Sequence, residues 1–169
     1  MLILFIEYTL KSIYHSYLGG QRKMPNHDFI VATQWSGGRD EVGRVTGDVI
    51  NEEISIPASL GGQGIGTNPD EMLVAAASSC YIISLAAALE RARFTSISIN
   101  QQSIGTASLE NGKFKMERIT HQPQISVNST EKAQLEKRLD SLLKIADNNC
   151  MISNSIRGNV EIKIKPTVL

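Results

Sequence analysis

Two cysteines, Cys80 and Cys150, are the side chains in this sequence with the widest scope for chemistry. A thiolate attacks peroxides and disulfides, and two thiols can close a disulfide bond with each other. Cys80 stands in a long run of small and apolar residues, where a cysteine commonly acts as a small hydrophobic side chain. Cys150 stands among Asn and Ser residues, where a structural cysteine gains little from packing. A second thiol in such a setting favours pairing with the first.

A reactive thiolate at Cys80 needs a nearby cation. The helix predicted around Cys80 begins about three turns earlier, and the field of a helix N-terminus fades beyond its first turn. Burial disfavours the charged thiolate as well. No lysine or arginine follows on that helix before Arg91. We therefore expect the cation to come from another part of the fold.

Two other uses of these cysteines fit the sequence less well. A structural zinc site takes four nitrogen or sulfur ligands, whereas this chain has two cysteines and three scattered histidines. A cysteine–histidine hydrolase would need His27 or His121 as its base. His121 is followed by Gln122 and Pro123 at the end of a predicted strand, and His27 lies near the start of the chain. Redox chemistry remains the favoured interpretation.

The elements that must position the cysteines follow from the hydrophobic pattern. β-branched and alternating residues predict six strands: residues 29–35, 44–50, 53–57, 96–109, 113–127 and 160–165. Asn111-Gly112 between the fourth and fifth strands is a strong hairpin signal. The glycine-rich stretch 61–66 predicts a loop of high backbone freedom before the first helix.

Two helices complete the predicted order, βββ-α-ββ-α-β, of an α+β fold. The first begins with Asn68 as N-cap, Pro69 at its first position and Glu71 placed for a capping box, and it runs to about Arg93. Since it is small or apolar on every face, we expect a central helix that is buried all round and that packs against a twin helix in a dimer. Asn128 caps the second, amphipathic helix, and Cys150 follows it in a predicted loop.

Composition limits the classes of function. The 169 residues, 41% of them hydrophobic, can bury one core, which predicts a single domain. Seventeen basic residues balance seventeen acidic ones without clustering, so neither nucleic acid nor a membrane surface is an expected partner. Two distant cysteines do not form the dense disulfide framework of a small secreted domain, which favours a reducing cytosol.

Residues 1–23 are predicted to be an extension that precedes the domain at 24–169. Their apolar run is too short to cross a membrane and lacks the features of a secretory signal. The codons for Gly19 and Gly20 fit a purine-rich ribosome-binding site, so we expect native translation to begin at Met24. The alternative is an amphipathic helix that packs on the domain.

Three motifs carry a resemblance to a known family. They are Gly-Thr-Asn-Pro-Asp-Glu-Met-Leu at 66–73 leading to Ala-Ser-Ser-Cys at 77–80, Cys-Met-Ile-Ser-Asn-Ser-Ile-Arg-Gly-Asn at 150–159, and Gly-Gly-Arg-Asp at 37–40. In this order and spacing, the chain resembles the OsmC/Ohr family of osmotically inducible and organic hydroperoxide resistance proteins. The resemblance spans roughly Phe29 to Pro166.

The resemblance implies an intertwined homodimer with each active site at its interface and the peroxidatic cysteine on the buried helix. Cys80 matches the peroxidatic cysteine and Cys150 the resolving cysteine, while Arg39 matches the arginine that stabilises the thiolate. Asp70 stands where the family usually has the glutamate that holds this arginine, and its side chain is shorter. Met151 replaces a proline that is common after the resolving cysteine.

The implied activity is a cytoplasmic, thiol-dependent peroxidase of the oxidative stress response. It would reduce alkyl or fatty-acid hydroperoxides through a Cys80 sulfenate and a Cys80–Cys150 disulfide, without metal or bound cofactor. A lipoylated protein or dihydrolipoamide would reopen the disulfide. Three alternatives stay open: a non-catalytic redox sensor, a structural or ligand-binding dimer with inert thiols, and a general osmotic-stress protein of the same family.

Overall fold

A computed structural model describes residues 26–169, so the predictions for residues 1–23 lie outside the described residues. Three short strands come first: β1 (Ala32–Gln34), β2 (Gly43–Thr46) and β3 (Asn51–Ile54), which form an antiparallel sheet in that order. The second strand is shorter than predicted because residues 47–50 form a tight turn, in which the Gly47 amide donates to the Ile50 carbonyl at 2.8 Å. Val45 is the one buried hydrophobic side chain in these three strands.

The central helix α1 (Pro69–Arg91) begins where the sequence predicts. The Asn68 side chain accepts a hydrogen bond from the Glu71 amide at 2.9 Å, which confirms the N-cap. In a capping box, the Glu71 carboxylate would also accept a hydrogen bond from the Asn68 amide. In the structure it accepts one from the Thr67 hydroxyl at 2.8 Å instead. The cap therefore ties the start of the helix to the preceding loop.

A long hairpin forms the second sheet. Strands β4 (Ser98–Glu110) and β5 (Lys113–Ser126) pair antiparallel, and Asn111 and Gly112 turn between them with φ of 52° and 76°. Strands β6 (Glu161–Ile164) and β7 (Thr167–Val168) both pair parallel to β5. The hairpin confirms the prediction, whereas β7 is an additional strand.

Two helices follow the hairpin where one was predicted. A 3₁₀ turn at Ser129–Glu131 leads into α2 (Lys132–Asn149), and a short helix, α3 (Met151–Ile156), comes directly after Cys150. The predicted loop after Cys150 is therefore wrong. The Cys150 sulfur itself acts as N-cap of α3, since it accepts a hydrogen bond from the Ser153 amide at 3.3 Å.

The core lies between the helices and one face of the second sheet. It contains side chains from α1, α2 and β5 and from the segments that flank them: Tyr81, Leu85, Leu89, Phe94, Ile125, Leu135, Leu142 and Cys150. This two-layer arrangement of helices on a sheet confirms the predicted α+β class.

Burial of α1 is one-sided within the chain, so the predicted burial all round depends on the predicted twin helix of a second chain and stays a prediction. Ala76, Ser79 and Ile83 lie on its exposed side, and the Ile83 side chain is 68% exposed. A chain of this size provides only one layer against the helix, which leaves the opposite face uncovered. By length and composition α1 could cross a membrane, but core helices of globular proteins have the same properties.

Candidate active site

The fold brings the two cysteines together. Cys80 lies half-buried on α1, and the buried Cys150 lies at the junction of α2 and α3. Both are free thiols, Cys80 packs against the core cluster that contains Cys150, and the nearness of Cys80 raises the pKa of Cys150. Seventy residues of sequence thus separate two sulfur atoms that are neighbours in the folded chain.

Cys150 is held in its protonated form. Burial raises the pKa of the Cys150 thiol above its ordinary value of 9.0, and the nearby Cys80 thiol raises it further. The hydrogen bond from the Ser153 amide acts in the opposite direction. The resulting thiol is a weak nucleophile until a base removes its proton.

Cys80 lies at the border between two faces of α1. One side of its turn packs against the core that contains Cys150. The other side continues into the exposed face, where Ala76 and Ile83 lie one turn before and after it. Cys80 therefore lies between the core that contains Cys150 and the exposed face of α1.

Arg39 lies in the turn between β1 and β2, with 62% of its side chain exposed. Its guanidinium forms an ion pair with Asp40 at 3.2 Å and donates to the Leu60 carbonyl at 3.3 Å. Among the described residues 26–169, Arg39 forms no ion pair with Asp70. The structure thus brings together the two cysteines but leaves Arg39 and Asp70 apart, and the roles of these two residues stay predictions.

Asp70 lines a cavity of about 480 Å³ between the first half of α1 and β4. Its wall is mixed, with apolar side chains from Leu60, Val74 and Met116 and polar groups from Asp70, Ser78 and Ser103. Cys80 is not among its lining residues. The cavity and Cys80 therefore lie on different flanks of the same helix.

A buried polar cluster connects this cavity with the region of Cys150, and the sequence analysis did not predict it. His121 on β5 is completely buried, its Nδ1 lies 2.7 Å from the Ser103 hydroxyl, and its ring stacks on Tyr81 with centroids 4.9 Å apart. Ser103 donates in turn to the Ser78 hydroxyl at 2.8 Å. The sequence feature that could have predicted the burial of His121 is the alternation of residues in β5, which places His121 on the same inward face as Ile119 and Ile125.

The cluster keeps its imidazole neutral. Burial lowers the pKa of His121 from its ordinary value of 6.5, although the negative charge of Asp147 opposes that shift. Burial raises the pKa of the Tyr81 hydroxyl, and the charges of Asp147 and Cys150 add to this increase. At neutral pH the site therefore contains a neutral imidazole, a phenol and a thiol.

Comparisons with known proteins identify the family of this chain. A family model described as OsmC-like protein matches residues 61–165, so the chain belongs to the OsmC-like protein family. That match includes both cysteines and confirms the family predicted from the three motifs.

Individual relatives extend the match over more of the chain. It is 37% identical to the uncharacterized protein YmaD of Bacillus subtilis over 145 residues, which is 86% of this chain and 97% of that protein. It is 26% identical to an organic hydroperoxide resistance protein of Xanthomonas axonopodis pv. citri, with 76% and 87% of the two chains covered. The fold is similar to a crystal structure of an organic hydroperoxide resistance protein OsmC from Legionella pneumophila, with a TM-score of 0.65, 22% identity, and 83% and 97% coverage.

Proposed function

We propose that this protein is a thiol-dependent peroxidase that reduces organic hydroperoxides to alcohols. The observation that carries the proposal is that the fold packs Cys80 against the core cluster that contains the buried Cys150. A half-exposed thiol beside a buried one fits an attacking and a resolving cysteine, in that order. The organic hydroperoxide resistance proteins among the relatives support the same chemistry.

The proposed cycle begins at Cys80. Its thiolate attacks one oxygen of the peroxide bond, so that an alcohol leaves and a sulfenic acid forms on Cys80. Cys150 then attacks the Cys80 sulfur, water leaves, and the disulfide closes. The apolar side chains of Ala76 and Ile83 beside Cys80 favour alkyl or fatty-acid hydroperoxides over hydrogen peroxide.

The proposal includes a homodimer that completes each site. Helix α1 is unbroken, so Asp70 and Cys80 are separated by ten residues, or about 15 Å along the axis. One arginine cannot contact both in a single chain. We therefore assign Arg39, on its exposed turn, to a site at the interface of two chains, where it would stabilise the thiolate beside a carboxylate.

The remaining components are an external dithiol and a reducing compartment. A lipoylated protein or free dihydrolipoamide would attack the disulfide and return both thiols, so the protein needs no metal or bound cofactor of its own. We place the protein in the cytoplasm, because a dithiol reductant and a thiol resting state both belong to a reducing compartment.

Peroxide consumption tests the proposal directly. We expect the wild-type protein to consume cumene hydroperoxide and tert-butyl hydroperoxide with dihydrolipoamide over many turnovers. Cys80→Ser should abolish consumption because it removes the attacking sulfur, whereas Cys150→Ser should react once and then recycle poorly. The matched control is Ser79→Ala, which changes the neighbouring hydroxyl on the exposed side of α1 and leaves both sulfurs in place.

The same assay separates the other candidate functions. Rapid disulfide formation with slow turnover would indicate a redox sensor and would contradict the peroxidase proposal. Thiols that hydroperoxides do not consume would indicate a structural or ligand-binding dimer. Oxidation by hydrogen peroxide as fast as by organic hydroperoxides would point to a general stress protein of the same family.

A further inference from the structure

Cys150 lies at a junction of two helices whose hydrogen bonds the proposed cycle has not used. Helix α2 ends at Asn149 and α3 begins at Met151, and between them the backbone of Cys150 is extended, with φ of −77° and ψ of 110°. Both helices pack against α1, the helix that carries Cys80. The direction in which α3 leaves α2 therefore determines where the Cys150 sulfur lies relative to Cys80.

Four residues form a closed ring of hydrogen bonds around this junction: Asp147, Cys150, Asn154 and Arg157. The Cys150 amide donates to the Asp147 carbonyl at 3.2 Å, and the Cys150 carbonyl accepts from the Asn154 amide at 3.0 Å. Arg157 closes the ring, because its Nη2 donates to the Asp147 carboxylate at 2.9 Å and to the Asn154 side-chain oxygen at 3.2 Å. This junction ring connects the last turn of α2 with the far end of α3, and the residue that carries the thiol is part of it.

Two further hydrogen bonds couple the thiol to the junction ring. The Asn154 side-chain amide donates to the Asn148 carbonyl at 2.8 Å, which is a second link between the two helices. The Cys150 sulfur accepts from the Ser153 amide at 3.3 Å, so the sulfur is attached to the first turn of α3. A change in the tilt of α3 would therefore move the sulfur as well.

Helix α3 depends on these contacts for its orientation. It has six residues, and a helix of that length is not stable by itself in water. The ion pair of the junction ring is partly withdrawn from solvent, since the Asp147 side chain is 17% exposed and that of Arg157 48%. Water and salt screen such a pair less than a fully exposed one. Loss of Arg157 would remove both this ion pair and the tie at the far end of α3.

We propose that Arg157 is a positioning residue for disulfide closure: by closing the junction ring, it holds the Cys150 sulfur toward Cys80. The inference rests on the proposed peroxidase function and concerns its second step. In that step the Cys150 sulfur attacks the sulfur of the Cys80 sulfenic acid, the S–S bond forms, the S–O bond breaks, and the Cys150 proton ends on the leaving hydroxide as water. Arg157 takes no part in these bond changes. Misplacement of a reacting atom by about 1 Å can slow a reaction about a hundredfold, so the junction ring acts on closure and not on the first attack by Cys80.

The test measures the two half-reactions separately. Sulfenic acid formation is followed by dimedone trapping in a Cys150→Ser background. Disulfide closure is followed by rapid acid quench and alkylation of the remaining thiols, from pH 6.5 to 8.5. We expect Arg157→Ala to leave sulfenic acid formation unchanged and to slow closure at least about tenfold. Because Arg157 positions the sulfur and does not deprotonate it, the closure rate should fall by the same factor at every pH.

Met151→Pro is the rescue variant, because it restrains the same junction without a hydrogen bond. Met151 is the first residue of α3, where a proline removes no bond within the helix and fixes φ near the helical value. A proline there also favours an extended backbone at the preceding residue, which Cys150 already has. Met151→Pro should by itself close as fast as wild type, and it should restore most of the closure rate that Arg157→Ala loses.

Two more variants separate positioning from overall stability. Asn154→Ala removes an exposed side chain of the junction ring and keeps the ion pair, so it should fold even if Arg157→Ala is unstable, and it should slow closure to a smaller extent. Arg118→Ala is the matched control, since it removes an arginine that is paired with Glu161 at 3.9 Å between β5 and β6, and it should close as fast as wild type. Wild-type closure in every folded variant of the junction ring would overturn the proposal, as would an equal loss of both half-reactions. Wild-type closure in Met151→Pro without recovery in the double variant would overturn it as well.

Diamide separates this inference from the peroxidase proposal. It oxidises two thiols to a disulfide and is itself reduced to the hydrazine, so closure still requires the Cys150 sulfur to reach Cys80. If hydroperoxides fail to oxidise Cys80 while diamide closure is slow in Arg157→Ala and recovers with Met151→Pro, the peroxidase proposal fails and the positioning role stands. If diamide closure is equally fast in wild type and in the variants of the junction ring, the positioning role fails.

Discussion

At the level of single residues, the buried groups near Cys150 set the pH range in which the fold is stable. Burial lowers the pKa of His121, so as the pH falls below about 6.5 the unfolded chain binds a proton before the folded chain does. The free energy of unfolding should therefore decrease toward acid pH. We expect this decrease to be smaller in His121→Gln, and urea unfolding at pH 5.5 and 7.5 measures the difference for each protein.

The alkaline side has the opposite sign. The pKa values of Cys150 and Tyr81 are both raised, so above about pH 9 the unfolded chain loses protons first and stability declines again. Tyr81→Phe should reduce the alkaline decline and keep the acid one, which makes it an internal control for His121→Gln. An acid decline of equal size in wild type and His121→Gln would contradict the assignment to His121.

The cysteines could be identified from the sequence because they differ in type and setting from everything around them. His121 could not, because alternation in a strand predicts which face a residue occupies but not what lies opposite it. The Ser103 and Tyr81 partners come from β4 and α1, and only the folded arrangement brings them together. The nearness of Cys80 to Cys150 likewise depends on packing of α1 against α2 and α3.

At the level of elements, Gly105 on β4 lies directly against α1. A methyl group on Gly105 would lie 2.5 Å from Val74 Cγ2 and 3.1 Å from Met116 Sδ. Overpacking of this kind costs about 1–3 kcal/mol. We expect Gly105→Ala to destabilise the protein by about that amount in urea unfolding, because β4 must move away from α1.

A second substitution tests the cause. Val74→Ala removes the Cγ2 atom that the new methyl group would meet, so the double variant should recover part of the loss and the two changes should not be additive. Strict additivity would show that the cost of Gly105→Ala arises elsewhere in the strand.

Elements with a cap, a turn or a regular hydrophobic pattern could be predicted from the sequence, whereas α3 and β7 could not. Helix α1 and the β4–β5 hairpin carry a cap, a turn and long regular patterns, and the structure confirms them. Helix α3 has only six residues and a cysteine sulfur as its cap, which is not a usual start signal. Strand β7 has two residues and exists through its parallel pairing with β5, a contact between distant parts of the sequence.

At the level of the whole molecule, one chain leaves much apolar surface in water. Phe29, Ile30 and Val49 near the first sheet are 82%, 83% and 91% exposed, and Ile83 on α1 is 68% exposed. Exposed apolar surface of this extent is typical of a protein interface. Composition predicted a small single domain with a helix too apolar for its surface, but only the folded chain identifies which face remains uncovered.

This surface leads to a prediction about assembly. If two copies cover each other's α1, the protein should sediment as a dimer, and Ile83→Glu should produce monomers because it places a charge in the interface. The same variant should lose most hydroperoxide consumption, because Arg39 and Cys80 would no longer meet across the interface.

Ile145→Glu is the matched control, since Ile145 is 45% exposed on α2, away from the uncovered face of α1. Sedimentation of the wild-type protein at the mass of one chain would contradict the dimer. Full activity of a monomeric Ile83→Glu variant would mean that a single chain provides the complete site, with its own Arg39 moving to Cys80.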